Sequence, residues 1–208
     1  MAIVINGSGT VTGLAVGGLP DGTVDAGTLA TNSVDSAELI DGAIDTSHIA
    51  ANQITSAILP TGSVVQVVNT QTGTKATGTT TVGWDDTIPQ SGEGDQYMSL
   101  AITPTSATNK LLIRVQTHGS FQQATTSVVA LFQDSTASAL SATGKEVEVG
   151  THEFNFTHYM TAGTTSATTF KVRAGAKAAG QYTFNGFDNE RRLGGVMASS
   201  ITITEVQG

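Results

Sequence analysis

The sequence has no cysteine, which removes a disulfide framework, a cysteine-based zinc site and a thiol nucleophile together. Such a chain suits folding in a reducing cytoplasm. Aromatic residues fill only 5% of the 208 positions and charged residues 12%, so a core must be built largely from small and β-branched side chains. Basic residues number nine, none before Lys75, against 17 acidic residues and a net charge of −8. A pI near 4.7 excludes a phosphate-tracking nucleic-acid surface, which needs clustered Lys and Arg. No stretch reaches the run of about 18 apolar residues that a membrane span requires. The start Met1-Ala2-Ile3-Val4-Ile5-Asn6 also lacks the basic opening of a secretory signal, so a soluble, unprocessed chain without membrane insertion is expected. With 38% hydrophobic residues it is nevertheless too apolar to stay a solvated coil.

What is present falls into three regimes. Residues 1–20 space Gly7, Gly9, Gly13, Gly17 and Gly18 among small and β-branched residues. Glycine loses the most backbone entropy on ordering, so this segment needs contacts supplied by another surface. From Gly22 the chain runs in tens: GTVDAGTLAT, NSVDSAELID, GAIDTSHIAA, NQITSAILPT. Position one is Gly or Asn, which tolerate a chain reversal. Position three is Val24, Val34, Ile44 or Ile54, position four is Asp25, Asp35, Asp45 or Thr55, and position eight is Leu29, Leu39, Ile49 or Leu59. Each decade therefore reads as a turn, an extended pair and one capped helical turn, and Asp35 with Glu38 has capping-box spacing. Burying one Val or Leu contributes roughly 1.5–3 kcal/mol, against about 1–2 kcal/mol of backbone entropy per residue ordered. Two apolar side chains per decade cannot meet that cost in one chain, so the repeat calls for stacking with neighbouring chains as an intertwined shaft over residues 21–60.

Pro60-Thr61-Gly62 closes the repeat, and residues 61–208 switch to period-two runs broken by Gly, Ser, Thr, Asn and Asp. That pattern predicts an all-β domain, a sandwich or jelly roll. Strands are expected at 63–70, 78–84, 96–103, 110–118, 126–134, 146–150, 151–160, 168–176, 181–187 and 198–206. In the run at 110–118, Leu111, Ile113 and Val115 alternate with Leu112, Arg114, Gln116 and His118, giving one buried and one wetter face.

Chemistry-bearing constellations are few. His152-Glu153 and His158 resemble a zinc motif in composition only, because a helical site needs its two His one turn apart. On a strand His152, Phe154, Phe156 and His158 share a face, which favours core or inter-subunit packing. Asp85, Asp86, Glu93 and Asp95 form an acidic loop able to offer oxygen ligands to calcium, but without EF-hand spacing a solvated loop is favoured. Trp84, with Tyr97, Tyr182 and Phe187, could supply flat apolar faces for sugar rings, although aromatics in a β domain more often fill the core. Arg191-Arg192 reads as a basic pair in a turn, able to meet an acidic neighbour or an anionic glycan. The glycine-rich start lacks a dinucleotide fingerprint, no GxSxG elbow is present, and His48, His118, His152 and His158 show no triad pattern. No cofactor, no metal and no catalytic residue is expected.

Three stretches resemble the short fibre proteins of tailed bacteriophages, especially those of marine hosts. The opening MAIVINGSGTVTGLAVGGLPDGTVD is similar to their shared N-terminal segment, the decades NSVDSAELIDGAIDTSHIA to their shaft repeats, and ASSITITEV to the closing strand of their β heads. The resemblance implies a parallel homotrimer on the virion surface. Residues 1–20 would dock on other virion proteins through Ile3, Ile5, Val11, Leu14, Val16 and Leu19, Val24 to Leu59 would form the shaft seam, and 61–208 would be a distal head that binds a host-surface glycan or protein. Two alternatives keep the appendage and change its work: a capsid head fibre or decoration protein, and a polysaccharide-degrading appendage.

Overall fold

The computed structural model describes residues 58–208 continuously and, before them, Val4–Ile5, Val11–Thr12, Ile44, 48–51 and 53–55. The chain divides into two compact units, Met1–Ile54 and Thr55–Gly208. In the first, β1 (Val4–Ile5) pairs antiparallel with β2 (Val11–Thr12), Ile5 opposite Val11. Ile44, Ile49 and Ile54 are exposed. The docking residues Ile3, Leu14, Val16 and Leu19 and the seam residues Val24, Leu29, Val34 and Leu39 lie outside the described residues. The Ile58 N–H donates to the Thr55 carbonyl at 3.1 Å, and Leu59 is half-buried.

The second unit holds β3 (Val64–Thr72), β4 (Ala76–Gly78), β5 (Asp95–Ile102), β6 (Lys110–Phe121), β7 (Thr125–Gln133), β8 (Ser141–Val147), β9 (Gly150–Thr161), β10 (Thr168–Ala176), β11 (Tyr182–Phe184), β12 (Gly186–Phe187), β13 (Glu190–Arg191) and β14 (Ser199–Val206). One sheet runs β5-β10-β7-β8. In the other, β6 carries β9 along one edge and β14 followed by β11 along the other, with β3 and β4 beyond them. Every pairing is antiparallel. Counting only the eight long strands in chain order, one sheet reads 1-8-3-6 and the other 2-7-4-5, the alternation between sheets that makes a jelly-roll-like sandwich.

Period-two alternation explains the core. Leu111, Ile113 and Val115 of β6, Ile201 and Ile203 of β14, Val129 and Leu131 of β7 and Phe170 and Val172 of β10 are sealed between the sheets. In β7 the alternate residues Val128, Ala130 and Phe132 are buried too. They lie on the outer face of the β5-β10-β7-β8 sheet, over which the connection 79–94 folds back. That strap is fastened by Val82 N–H to the Ala176 carbonyl at 3.1 Å, by Ser91 N–H to Ala137 at 2.7 Å and by Ala139 N–H to Pro89 at 2.9 Å.

The strap corrects one expected strand. Residues 79–84 are not a strand, although Thr-Thr-Thr-Val invites one, because side chains capture their backbone. Asp95 accepts from the Thr80 N–H and hydroxyl, and Glu93 accepts from the Gly83 N–H at 3.0 Å. Of the run expected at 146–150 only 146–147 are strand of β8, which begins five residues earlier in small residues with little apolar signal, and Gly150 opens β9.

Candidate functional site

The four aromatic candidates separate sharply. Tyr182 is 1% exposed, and its ring lies 5.8 Å from that of Tyr97, which stacks on Phe184 at 4.8 Å. Burial pushes both phenols well above the ordinary tyrosine range, with the Asp95 charge adding to the effect on Tyr97. Tyr182 belongs to the core, so the expectation that it contacts a glycan is corrected, because a buried ring cannot offer a face to a surface ligand; Tyr97 is half-buried at the margin of the core. Phe187 is partly buried in the β12–β13 hairpin under the Arg192 guanidinium, 5.6 Å from the ring centroid. Arg192 also pairs with Glu190 at 3.0 Å, so half of the basic pair is held within its own turn.

The histidine strand faces inward as its alternation requires. Phe154 is buried, the His152 Nε2–H donates to the Glu148 carbonyl at 2.8 Å, and burial lowers the pKa of His158. Lys145 spans the sandwich edge, its ammonium 5.0 Å from the Phe154 ring centroid and 2.8 Å from the Glu153 carbonyl. Among the described residues no three His, Asp or Glu side chains converge as a metal site.

Three of the four acidic-loop carboxylates shape the strap. Asp95 holds Thr80; Glu93 holds Gly83 and, at 2.6 Å, the Gln90 N–H; Asp85 accepts from the Thr87 hydroxyl and N–H. The Thr87 bonds hold the Asp85 carboxyl below the usual carboxylate range, with a smaller pull from Lys177. Asp86 is the fourth, and its carboxylate is not used in this way.

Trp84 is the aromatic that the strap delivers to the surface. It is 49% exposed, and its six-membered ring lies against Gly144 of the edge strand β8. A Cβ at Gly144 would sit 2.4 Å from the indole Cζ3, so only glycine admits the ring there. The β7–β8 register sets Glu146, Gly144 and Ala142 opposite Thr126, Val128 and Ala130, one file on the outer face. At the Glu146 end is a depression of about 580 Å³ lined also by Thr126, Glu148 and Lys177. At the Ala142 end is one of about 370 Å³ between residues 85–89 and 139–142. Asp85 and Asp86 thus line one hollow and Glu146 and Glu148 the other, at the two ends of the file whose middle residue, Gly144, lies against the indole. The arrangement can stack one apolar ring face and accept hydrogen bonds from a ligand's donors. Residues 79–94 and Glu146, Glu148 and Lys177 join Trp84 only through the fold. Glycine at position 144 is the one sequence signal that could have pointed to the partner strand.

No family model matches the chain, and no curated protein matches it. The solved structures similar to it include the C-terminal domain of EclA, a sugar-binding protein, at 14% identity over 65% of this chain and 81% of that one, with a TM-score of 0.33. The infectious bursal disease virus Gx strain structure matches at 10% identity over 70% of this chain and 33% of that one, with a TM-score of 0.38. The enzymatically active domain of tailspike protein 4 of bacteriophage CBA120 matches at 11% identity over 57% and 18%, with a TM-score of 0.26.

Proposed function

We propose that this chain is a structural, non-enzymatic appendage of a tailed-phage virion. It is made in the host cytoplasm, mounted on the particle through residues 1–20 against tail or capsid proteins, and adheres to a host-surface glycan through its β unit. The observation that carries adhesion is Trp84, half-exposed over Gly144 between two carboxylate-lined hollows. Half of the indole stays in water, and a flat apolar ring beside hydrogen-bond acceptors suits a sugar ring. The sparse decade repeat supports assembly with neighbouring chains, the resemblance to phage fibres makes that assembly a homotrimer, and three weak sites on one particle multiply avidity by about 10²–10⁴ when geometry lets them engage together.

Two measurements test this reading. Light scattering of the full-length protein should give three times 21.2 kDa, and a monomer in dilute buffer overturns the fibre. An immobilised-glycan array probed with the full-length protein should show saccharides retained by the native chain and lost by Trp84→Ala. A blank array overturns adhesion to glycans.

A further inference from the structure

We propose that the two hollows at either side of Trp84 are consecutive subsites for a single saccharide chain, uncharged or amino-bearing, that runs along β8 with one ring on the indole. The proposal rests on the adhesive reading above and specifies its ligand. Glu146 and Ala142, at the two ends of the file, are four residues apart on a strand, about 13 Å at roughly 3.3 Å per residue. That span exceeds one sugar ring, so the ligand is a chain whose neighbouring residues fall on either side of Trp84.

The lining then selects its chemistry. Asp85, Asp86, Glu146 and Glu148 bring four carboxylates against the single ammonium of Lys177. Carboxylates accept and do not donate, which matches sugar hydroxyls, and a sugar amine adds an opposite charge near both the carboxylates and the indole face. A uronate, sulfate or phosphate on the chain would meet like charge on both sides of the ring and lose affinity. Gly144 seats the indole low on the strand, and the small side chain of Ala142 leaves the neighbouring hollow open to the next sugar residue. Asp86 faces one hollow and Glu146 the other, so each reads a different sugar residue.

The test takes the saccharides retained on the glycan array and titrates the full-length protein with them by calorimetry, using a chain and its own monosaccharide unit. Neutral or amino-bearing chains should bind, with the chain at least about tenfold tighter than its unit. Trp84→Ala and Gly144→Ala should each abolish binding, and Asp86→Ala and Glu146→Ala should each weaken the chain by more than they weaken the unit. Circular dichroism of each variant separates lost binding from lost folding, and Asp86→Asn, which keeps the side-chain shape, supplies a milder second variant. Preference for anionic saccharides, or equal affinity for chain and unit, overturns the inference while leaving adhesion through Trp84 standing, whereas binding indifferent to Trp84→Ala overturns both. A lysine-rich peptide that displaces every saccharide from the site also overturns it. Absence of any retained saccharide removes the adhesive reading and this inference together.

Discussion

Glu205 gives the sharpest stability prediction. It sits on β14 with the parity of Ile201 and Ile203 and is 0% exposed, a carboxylate at the end of the core. One oxygen accepts from the Thr105 N–H and hydroxyl, both at 2.8 Å, and from the Asn109 amide at 2.6 Å; the other accepts from Gln66. The group thus ties β3, β14 and the β5–β6 connection together. Glu205→Ala removes the acceptor that Thr105, Asn109 and Gln66 share, leaving the Thr105 N–H and one amide hydrogen each of Asn109 and Gln66 unpaired, and opens a cavity, a loss of about 3–5 kcal/mol. Glu205→Gln keeps the shape but turns an NH₂ toward donors, a loss of about 1–3 kcal/mol. Burial alone would raise this carboxyl, but the bonds from Gln66, Asn109 and Thr105 outweigh it and hold the folded-state pKa below its ordinary value. A depressed folded pKa means that the unfolded chain takes up the proton first as pH falls. The contribution is therefore complete above the unfolded value of about 4.3 and is lost as pH drops through the folded one. Urea unfolding at fixed protein concentration, from pH 7 down to pH 3, should show the native protein losing stability faster than Glu205→Gln below about pH 5. A loss under about 1 kcal/mol for Glu205→Ala, or parallel pH curves for the native protein and Glu205→Gln, refutes the reasoning.

Three further outcomes follow from close contacts. Gly144→Ala should expel the indole, raising acrylamide quenching of Trp84 with little change in melting temperature, because the site lies on an edge strand. Gly119→Ala places a Cβ 1.8 Å from the buried Tyr182 hydroxyl and should destabilise the fold by about 1–3 kcal/mol in thermal melts, with larger losses if the ring cannot shift. Asn185 is buried at φ 51°, donates to the Thr72 and Thr74 carbonyls at 2.7 and 3.2 Å, and accepts from Ser199 at 2.6 Å. Asn185→Ala should cost about 2–4 kcal/mol in denaturant titrations, through orphaned partners and a left-handed backbone that alanine tolerates poorly.

Much of the sandwich was legible because its long strands alternate. The expected 168–176 coincides with β10, 198–206 contains β14, and 110–118 and 151–160 fall within β6 and β9, whose register runs unbroken from Lys110–Thr161 to Phe121–Gly150. Alternation failed where long-range side chains capture the backbone. Nothing near Thr80 or Gly83 announces that Asp95 and Glu93 will take their N–H groups and turn a β-prone run into a strap. It also failed at β8, whose Ser-Ala-Thr-Gly start carries small residues because an indole covers it, a partner 60 positions away between Trp84 and Gly144. The site was half legible: Trp84 stood out as the single tryptophan, but composition ranks Tyr97 and Tyr182 beside it. Only the fold shows that Tyr182 is buried and that Tyr97 packs between it and Phe184. Glu205 carried its own signal, a carboxylate in phase with two core isoleucines.

The most direct test uses the fact that Trp84 is the only tryptophan of the chain, so intrinsic fluorescence reports on the site alone. The full-length protein is titrated with a neutral or amino-bearing saccharide chain retained on the array, following the emission maximum and acrylamide quenching. The account predicts a saturable blue shift with protection from quencher, at the same midpoint as the calorimetric titration. Calorimetric binding that leaves the Trp84 emission and its quenching unchanged would place the ligand elsewhere and contradict it.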